Sequence, residues 1–548
     1  MSRTSGQPSA VSRQQRRNRR LAVLLTTGLA LASCAGLPTR SERLAGPASS
    51  PRPEAPKSAS SADLFSTPVR VSPQPAGTLP SPLLVTVSEA VLLTLQNNRA
   101  FAVQRYNRSL TRTFEEEQRA AFDPVLSASA SRQWQRQPAG GTAGTQSSQA
   151  TDLTLSAEEF LPTGTSLNLR LSGQSASTPA DDSARVGLTV TQSLLRGFGT
   201  DVNFASLRQA RLDTLVSEYE LRGFAESLVA QTEQAYWDYT LAKRRIEIVD
   251  QSLALARQQL EETEQRIRVG QLAEIERVAA EAEVALRKEN EIDARSRLAT
   301  ARLALLRLLN PPGGALWSRE IDVLDPPVAR QEGLDDVEDH VRLALRLRPE
   351  LNQARLQVQR GDLEVVKTRN GLLPKLDAFV ALGKSGYAAS FGGALGDIDG
   401  KGYDAQAGLT LEFPWGNRAP QAAERRATLG RSQDLEALEN LTQLAQVDVR
   451  TAHIEANRLK EQVVATTATR KLQEEKLRAE TEKFRVGKST NLLVAQAQRD
   501  LLESQIGEVE AAVNSLKAVV DLYRQDGSLL NRLGIAAPGG EPVEAPAR

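Results

Sequence analysis

Few side chains in this sequence are of types that do chemistry, and their spacing narrows the choice further. Cys34 is the one cysteine among 548 residues. It follows Leu31-Ala32-Ser33, which close an apolar stretch from Leu21, itself preceded by the basic run Arg16, Arg17, Arg19 and Arg20. A basic run, a short apolar segment and small residues form the pattern of a secretory signal over residues 1–33. One cysteine excludes a disulfide framework and a thiolate metal cluster. The two histidines, His340 and His453, lie far apart in sequence and leave little for a zinc or His-based catalytic site. His340 is expected on a helix surface. Gly487-Lys488-Ser489-Thr490 imitates the end of a phosphate-binding loop, but Glu482 stands where that loop needs Gly, and a long helix precedes it instead of a strand. Acid pairs such as Glu158-Glu159, Glu261-Glu262 and Glu474-Glu475 read as solvated faces, and no nucleophile–base pattern stands out. The chain is therefore not expected to be an enzyme, and no cofactor or metal is expected.

Composition agrees. Lys plus Arg (68) nearly cancels Asp plus Glu (67), for a net charge of +1, so the basic surplus of a nucleic-acid binder is missing. No apolar stretch beyond the first resembles a spanning helix, which excludes a polytopic helical membrane protein. An Ala-, Leu-, Glu- and Arg-rich chain points to long helices or coiled coils.

The elements that carry these residues are written twice. An ungapped shift of 250 places Val91 on Val341, Leu93 on Leu343, Leu95 on Leu345, Phe101 on Leu351, Arg105 on Arg355 and Pro124 on Pro374. Gly187-Leu188-Thr189 recurs as Gly408-Leu409-Thr410, and Arg268-Val269-Gly270 as Arg485-Val486-Gly487. In each copy a helix is expected first (roughly 88–121 and 336–373), then alternating strand segments such as Leu167, Leu169 and Leu171. A very long helix follows (roughly 202–268 and 421–485), with a three–four seam in Ile246, Val249, Leu253, Ala256 and Leu260. Gly270 and Gly487 end these helices as C-terminal caps, and a last helix closes each copy.

Lengths constrain the architecture. At about 1.5 Å per residue the long helices span roughly 100 Å, and the two shorter ones placed end to end match one of them. Such rods must bury their seams on one another and on other chains. Two strands per copy make about four per chain, too few to close a barrel, whereas three chains would supply about twelve. Open edges are not tolerated in lipid, so a membrane role demands oligomerisation.

Taken together, LRLRPELNQARLQV, LLPKL, GLTVTQSLL, EQRIRVGQ and EKFRVGKS, in order and in duplicate, resemble the TolC-like outer-membrane efflux protein family over about Leu84 to Leu530. Leu31-Ala32-Ser33-Cys34 likewise resembles a bacterial lipobox, which implies that Cys34 is acylated and anchors the chain to a membrane face. The resemblance implies a mainly α fold with a β-barrel: a duplicated helix–strand–strand–helix repeat, with a long α-helical barrel plus a transmembrane β-barrel completed by trimerisation. It implies an exit duct in the outer membrane of a Gram-negative bacterium, its helical body in the periplasm. A homotrimer would pass small molecules or other cargo from a periplasmic adaptor and an inner-membrane pump to the exterior, as in tripartite efflux or type I secretion-like systems. The RVG turns, Arg268, Val269, Gly270, Arg485, Val486 and Gly487, are then the adaptor-docking candidates.

The expected organisation is a signal peptide (1–33), a lipidated Pro/Ser-rich tether (34–83), a first repeat (84–310), a linker (311–335), a second repeat (336–530) and a tail (531–548). Two departures from the family stand out. The first copy carries an extra alternating pair, DLTLSAEEF and TSLNLRLSG, which could lengthen the barrel, add strands or form a hairpin outside it. It also has NNRAF where the second copy has RPEL, a degraded motif. The rival readings are a non-conducting periplasmic coiled-coil scaffold lipoprotein, which leaves the strands idle, and an adaptor, which would show one hairpin and no duplication.

Overall fold

The computed structural model describes residues 82–138, 145–176, 182–312, 316–328 and 333–544. These lie in one compact unit, Ala59–Arg548. The signal segment, Cys34 and most of the tether lie outside the described residues.

Both long helices form as their composition dictates. α4 (Ala205–Arg268, 64 residues) contains no proline, and α9 (Arg418–Arg485, 68 residues) carries Pro420 only in its first turn, where no helical N–H is lost. They extend for roughly 96 and 102 Å. α5 (Ile275–Leu309) and α10 (Asn491–Gln525), 35 residues each, fold back along them.

The opening helix of each copy is broken at equivalent positions. α1 (Val87–Asn97) gives way to α2 (Arg99–Arg119), and α6 (Val337–Leu347) to α7 (Pro349–Gly371). In the second copy Pro349 sterically forbids the helical region to Arg348, which takes φ −57°, ψ 123°. In the first copy the supposedly degraded NNRAF reaches the same geometry by another route. Asn98, at φ −65°, ψ 125°, caps α2 by accepting the amides of Ala100 and Phe101 at 3.0 and 3.1 Å. Its amide also donates to Leu308 O at 3.1 Å, so α5 ends where α2 begins. The shorter helices thus stack end to end, and the wall has two tiers, α2–α4–α7–α9 above and α5–α4–α10–α9 below.

A collar surrounds the breaks. β1 (Leu83–Val85) pairs in parallel with β6 (Ile321–Val323) from the linker, and Tyr236 and Tyr239 of α4 donate to Val85 O and Ile321 O at 3.1 and 2.8 Å. After α10 the chain forms α11 (Leu529–Arg532) and runs back across the wall. Leu529, Leu530 and Ile535 are buried with Val91, Leu95, Phe101 and Leu221, and Val543 N donates to Asn352 Oδ1 at 3.0 Å. His340 is 1% exposed, contrary to the surface position expected for it. Its Nδ1 lies 2.7 Å from Asp526 Oδ2, and the sequence-distant His453 ring sits 6.0 Å away. The helix face that carries His340 also carries Val341 and Ala344, which pack on Val449 and Ala452 of α9 and Leu522 of α10.

Of the outcomes left open for the extra alternating pair of the first copy, the described residues show added strands. Instead of about four strands the sheet has six, all antiparallel, in the order β2 (Val125–Pro138), β3 (Thr145–Leu161), β4 (Thr165–Ala176), β5 (Asp182–Ser193), β7 (Lys375–Ala388) and β8 (Tyr403–Glu412). The extra alternating pair joins the sheet in full register as β3 and β4, so the first repeat is helix–four strands–helix. Its turn at Thr163-Gly164 packs against the chain entering the short α3 (Thr200–Asn203) that precedes α4: Gly199 N donates to Thr163 O, and a Cβ on Gly164 would lie 2.3 Å from Gly197 O.

Candidate functional site: conduit wall and hairpin tips

Register assigns every strand residue to a face, since successive side chains alternate. Leu126, Ala157, Leu169, Leu188, Leu382 and Ala405 form one row across all six strands. The rows beside it on the same face include Leu155, Leu171 and Val186, then Leu167, Val190 and Val380. The opposite face carries Ser127, Ser129, Ser156, Asn168, Thr189 and Thr410. An outward apolar band over a polar inner face is the pattern of a membrane-spanning barrel wall. On the polar face Arg185 of β5 reaches Asp404 of β8 at 2.5 Å, passing over β7 at Gly383. A Cβ on Gly383 would lie 2.5 Å from the Asp404 carboxylate, so the ion pair needs glycine there.

The sheet and the helical wall share one edge order. β2 follows the edge helix α2, and β8 leads into the edge helix α9, so both layers are open on the same two sides. Among the described residues, those edges carry apolar side chains with nothing against them. On α2 Val103, Tyr106, Leu110 and Phe114, spaced by three and four, are exposed; on α9 Leu444, Val447 and Ile454 are exposed.

At the far end of the wall lie the two turns singled out in the sequence. Gly270 (φ +76°) and Gly487 (φ +75°) occupy the left-handed region. Gln271 N donates to Arg266 O at 2.8 Å and Gly270 N to Ile267 O at 2.9 Å; Lys488 N and Gly487 N repeat the pattern on Lys483 O and Phe484 O. Each is a Schellman cap, which holds the turn without side-chain help. Val269 and Val486 are 69% and 66% exposed. Arg268 and Arg485 turn back to Glu264 (3.7 Å) and Glu482 (2.9 Å) of their own helices. The Arg266 guanidinium stacks 4.9 Å from the Phe484 ring centroid, so the turns of the two repeats lie side by side.

Midway up the wall, α4 buries the pair Arg222 and Glu226, 3.1 Å apart and almost without solvent contact. Arg222 also donates to Asn531 Oδ1 at 3.2 Å, which ties the chain after α10 to α4. Burial pushes the Glu226 carboxyl up to about 8, against the pull of Arg222. Neither residue drew notice in the sequence, because nothing local distinguishes a buried Arg-x-x-x-Glu from a solvated one.

A helical wall continuous with a half-apolar sheet, open at matching edges, defines the protomer of a membrane channel. The chain belongs to the outer membrane efflux protein family, whose pattern it matches over residues 91–311 and 341–528. No curated protein sequence matches it. Among solved structures it is similar to the outer-membrane channel OprN (18% identity, TM-score 0.62, covering 80% of this chain and 89% of that one). It is also similar to the Campylobacter jejuni CmeC outer membrane channel (15%, 0.61, covering 83% and 86%). The open state of the Neisseria gonorrhoeae MtrE outer membrane channel aligns as well (19%, 0.59, covering 81% and 89%). The chain is thus an outer-membrane efflux channel and not an enzyme.

Proposed function

We propose that three copies of this chain assemble into an exit duct that receives cargo from a periplasmic adaptor and an inner-membrane pump. The observation that carries the reading is the shared edge order of sheet and helical wall. One interface, β8 and α9 of one copy against β2 and α2 of the next, satisfies the open strand edges and covers the exposed apolar rows together. Open edges in lipid leave backbone groups unpaired at several kcal/mol each, so the sheet demands such a partner.

Arg268, Val269, Gly270, Arg485, Val486 and Gly487 form the docking tips for the adaptor. The exposed valines supply apolar contact, and Arg268 and Arg485 are each held by an acid of their own helix. Acylated Cys34 anchors the chain on the periplasmic side of the membrane, and mass spectrometry of the mature N-terminus should find acyl chains that Cys34→Ser lacks. The tips are tested by Gly270→Val with Gly487→Val. Among the described residues, nothing beyond the chain neighbours lies within 4 Å of either added Cβ, so the change acts through backbone strain. Cells that rely on this chain as their exit duct should retain a fluorescent efflux dye, while trimers still reach the outer membrane. Unimpaired dye export would sink the docking assignment.

A further inference from the structure

We propose, resting on the trimeric reading above, that the barrel is eighteen-stranded and as wide as the helical tunnel below it, and that it therefore admits bulky hydrophilic solutes. Each protomer contributes one unbroken six-stranded sheet, and three such sheets give an even number that closes.

Width supports this count. Four helix columns at roughly 8–10 Å spacing make a wall about 32–40 Å wide per protomer. Six strands about 4.8 Å apart, tilted roughly 40°, cover about 38 Å; four would cover only about 25 Å. Six strands therefore sit on four helix columns without a taper, and β3 with β4 supplies the difference. The shortest strand, β8, has 10 residues, enough to span the apolar layer.

The described part of the lumen is also clear. Its face is rich in small side chains, among them Ser127, Ser129, Ser156, Gly187 and Gly408. The connection between β7 and β8, which carries the short helix α8 (Phe391–Gly396), folds onto the apolar face. Gly173, Ala184 and Gly386 form a row of small residues on that face. Phe391 packs on Gly173, where a Cβ would lie 1.9 Å from its ring, and Ala394 O packs on Gly386. This connection is thus kept out of the bore.

The test images the detergent-extracted or nanodisc-embedded full chain by electron cryo-microscopy and counts strands. A trimer with eighteen strands supports the inference. A trimer with twelve strands, with β3 and β4 outside the barrel, overturns it and leaves the duct reading intact; a monomer overturns both. Polyethylene glycols of graded size, added to the extracellular side of a planar bilayer, then probe the mouth. Deletion of residues 145–176 rejoins β2 to β5 at the same end of the sheet. If the inference holds, the full chain admits polymers of about 1.5-fold larger radius than this variant, since barrel diameter scales with strand number. Equal cut-offs would overturn it, and should the variant fail to assemble, the strand count of the full chain still decides.

Discussion

In the first repeat the chain crosses the sheet four times between α2 and α4, whereas in the second it crosses twice between α7 and α9. The helical parts show no such difference: α5 and α10 have equal lengths, and both opening helices break at equivalent positions. The difference teaches where this fold tolerates change. A residue inserted into a wall helix rotates everything beyond it by about 100°, turning a buried seam toward solvent. A strand pair added to the sheet returns the chain to the end it left, with both faces in phase. The wall helices differ between repeats by a few residues at most, whereas the sheet differs by a whole hairpin.

The comparison breaks most sharply at α4. One alanine inserted after Leu253 should displace the seam of Val249, Leu253 and Ala256 and abolish trimers, read by size-exclusion chromatography. If it is tolerated as readily as a strand pair, the contrast between helix and sheet fails. Next come the equivalent anchors Phe101 and Leu351, each 1% exposed. Phe101→Ala should cost about 3–5 kcal/mol and Leu351→Ala about 2–5 kcal/mol in denaturant unfolding. The breaks differ in mechanism, so Asn98→Ala, which removes a cap, should cost roughly 1–2 kcal/mol. Pro349→Ala should cost under about 1 kcal/mol, acting mainly through the unfolded chain; equal losses would mean that both breaks work alike.

The smallest effect concerns pH. At the offset of the two RVG turns, 485 − 268 = 217, Gln443 stands where the first repeat has Glu226. The Glu226 pKa is raised by folding, to about 8 from its ordinary 4.5. Its contribution is therefore complete below the unfolded value and is lost as pH rises through the folded one. Melting temperature should fall as pH rises from about 4.5 to about 8 and level off above that, and Glu226→Gln should remove most of that slope. An unchanged slope would show that the carboxyl stays ionised throughout.

Duplication, the long helices and both capped turns were legible in the sequence because each rests on local periodicity or on a glycine at a helix end. Neither break in the opening helices was: the helical pattern runs through 88–121 and 336–373, and the residues that interrupt it, Asn98 in one copy and Pro349 in the other, act by unrelated means. The strands β3 and β4 were visible as alternation, but their place in the sheet depends on partners far along the chain. The burial of His340 was not legible for the same reason: Asp526, which its ring meets, lies 186 residues further along the chain. The edge rows on α2 and α9 could have been found from the spacing of Val103, Tyr106, Leu110 and Phe114. That they are edges follows only from the helix order.

The segment after α10 carries a consequence for biosynthesis. Leu529, Leu530 and Ile535 complete the hydrophobic cluster around Phe101, and residues up to Val543 latch onto α7. They leave the ribosome after both repeats have been made. A chain cut short before them would hold every strand and every wall helix, yet its collar would be open and its two halves unlatched. Synthesis of the wall is thus complete only with the last residues of the segment, and a product that lacks them would leave Phe101 and Leu221 without their cover.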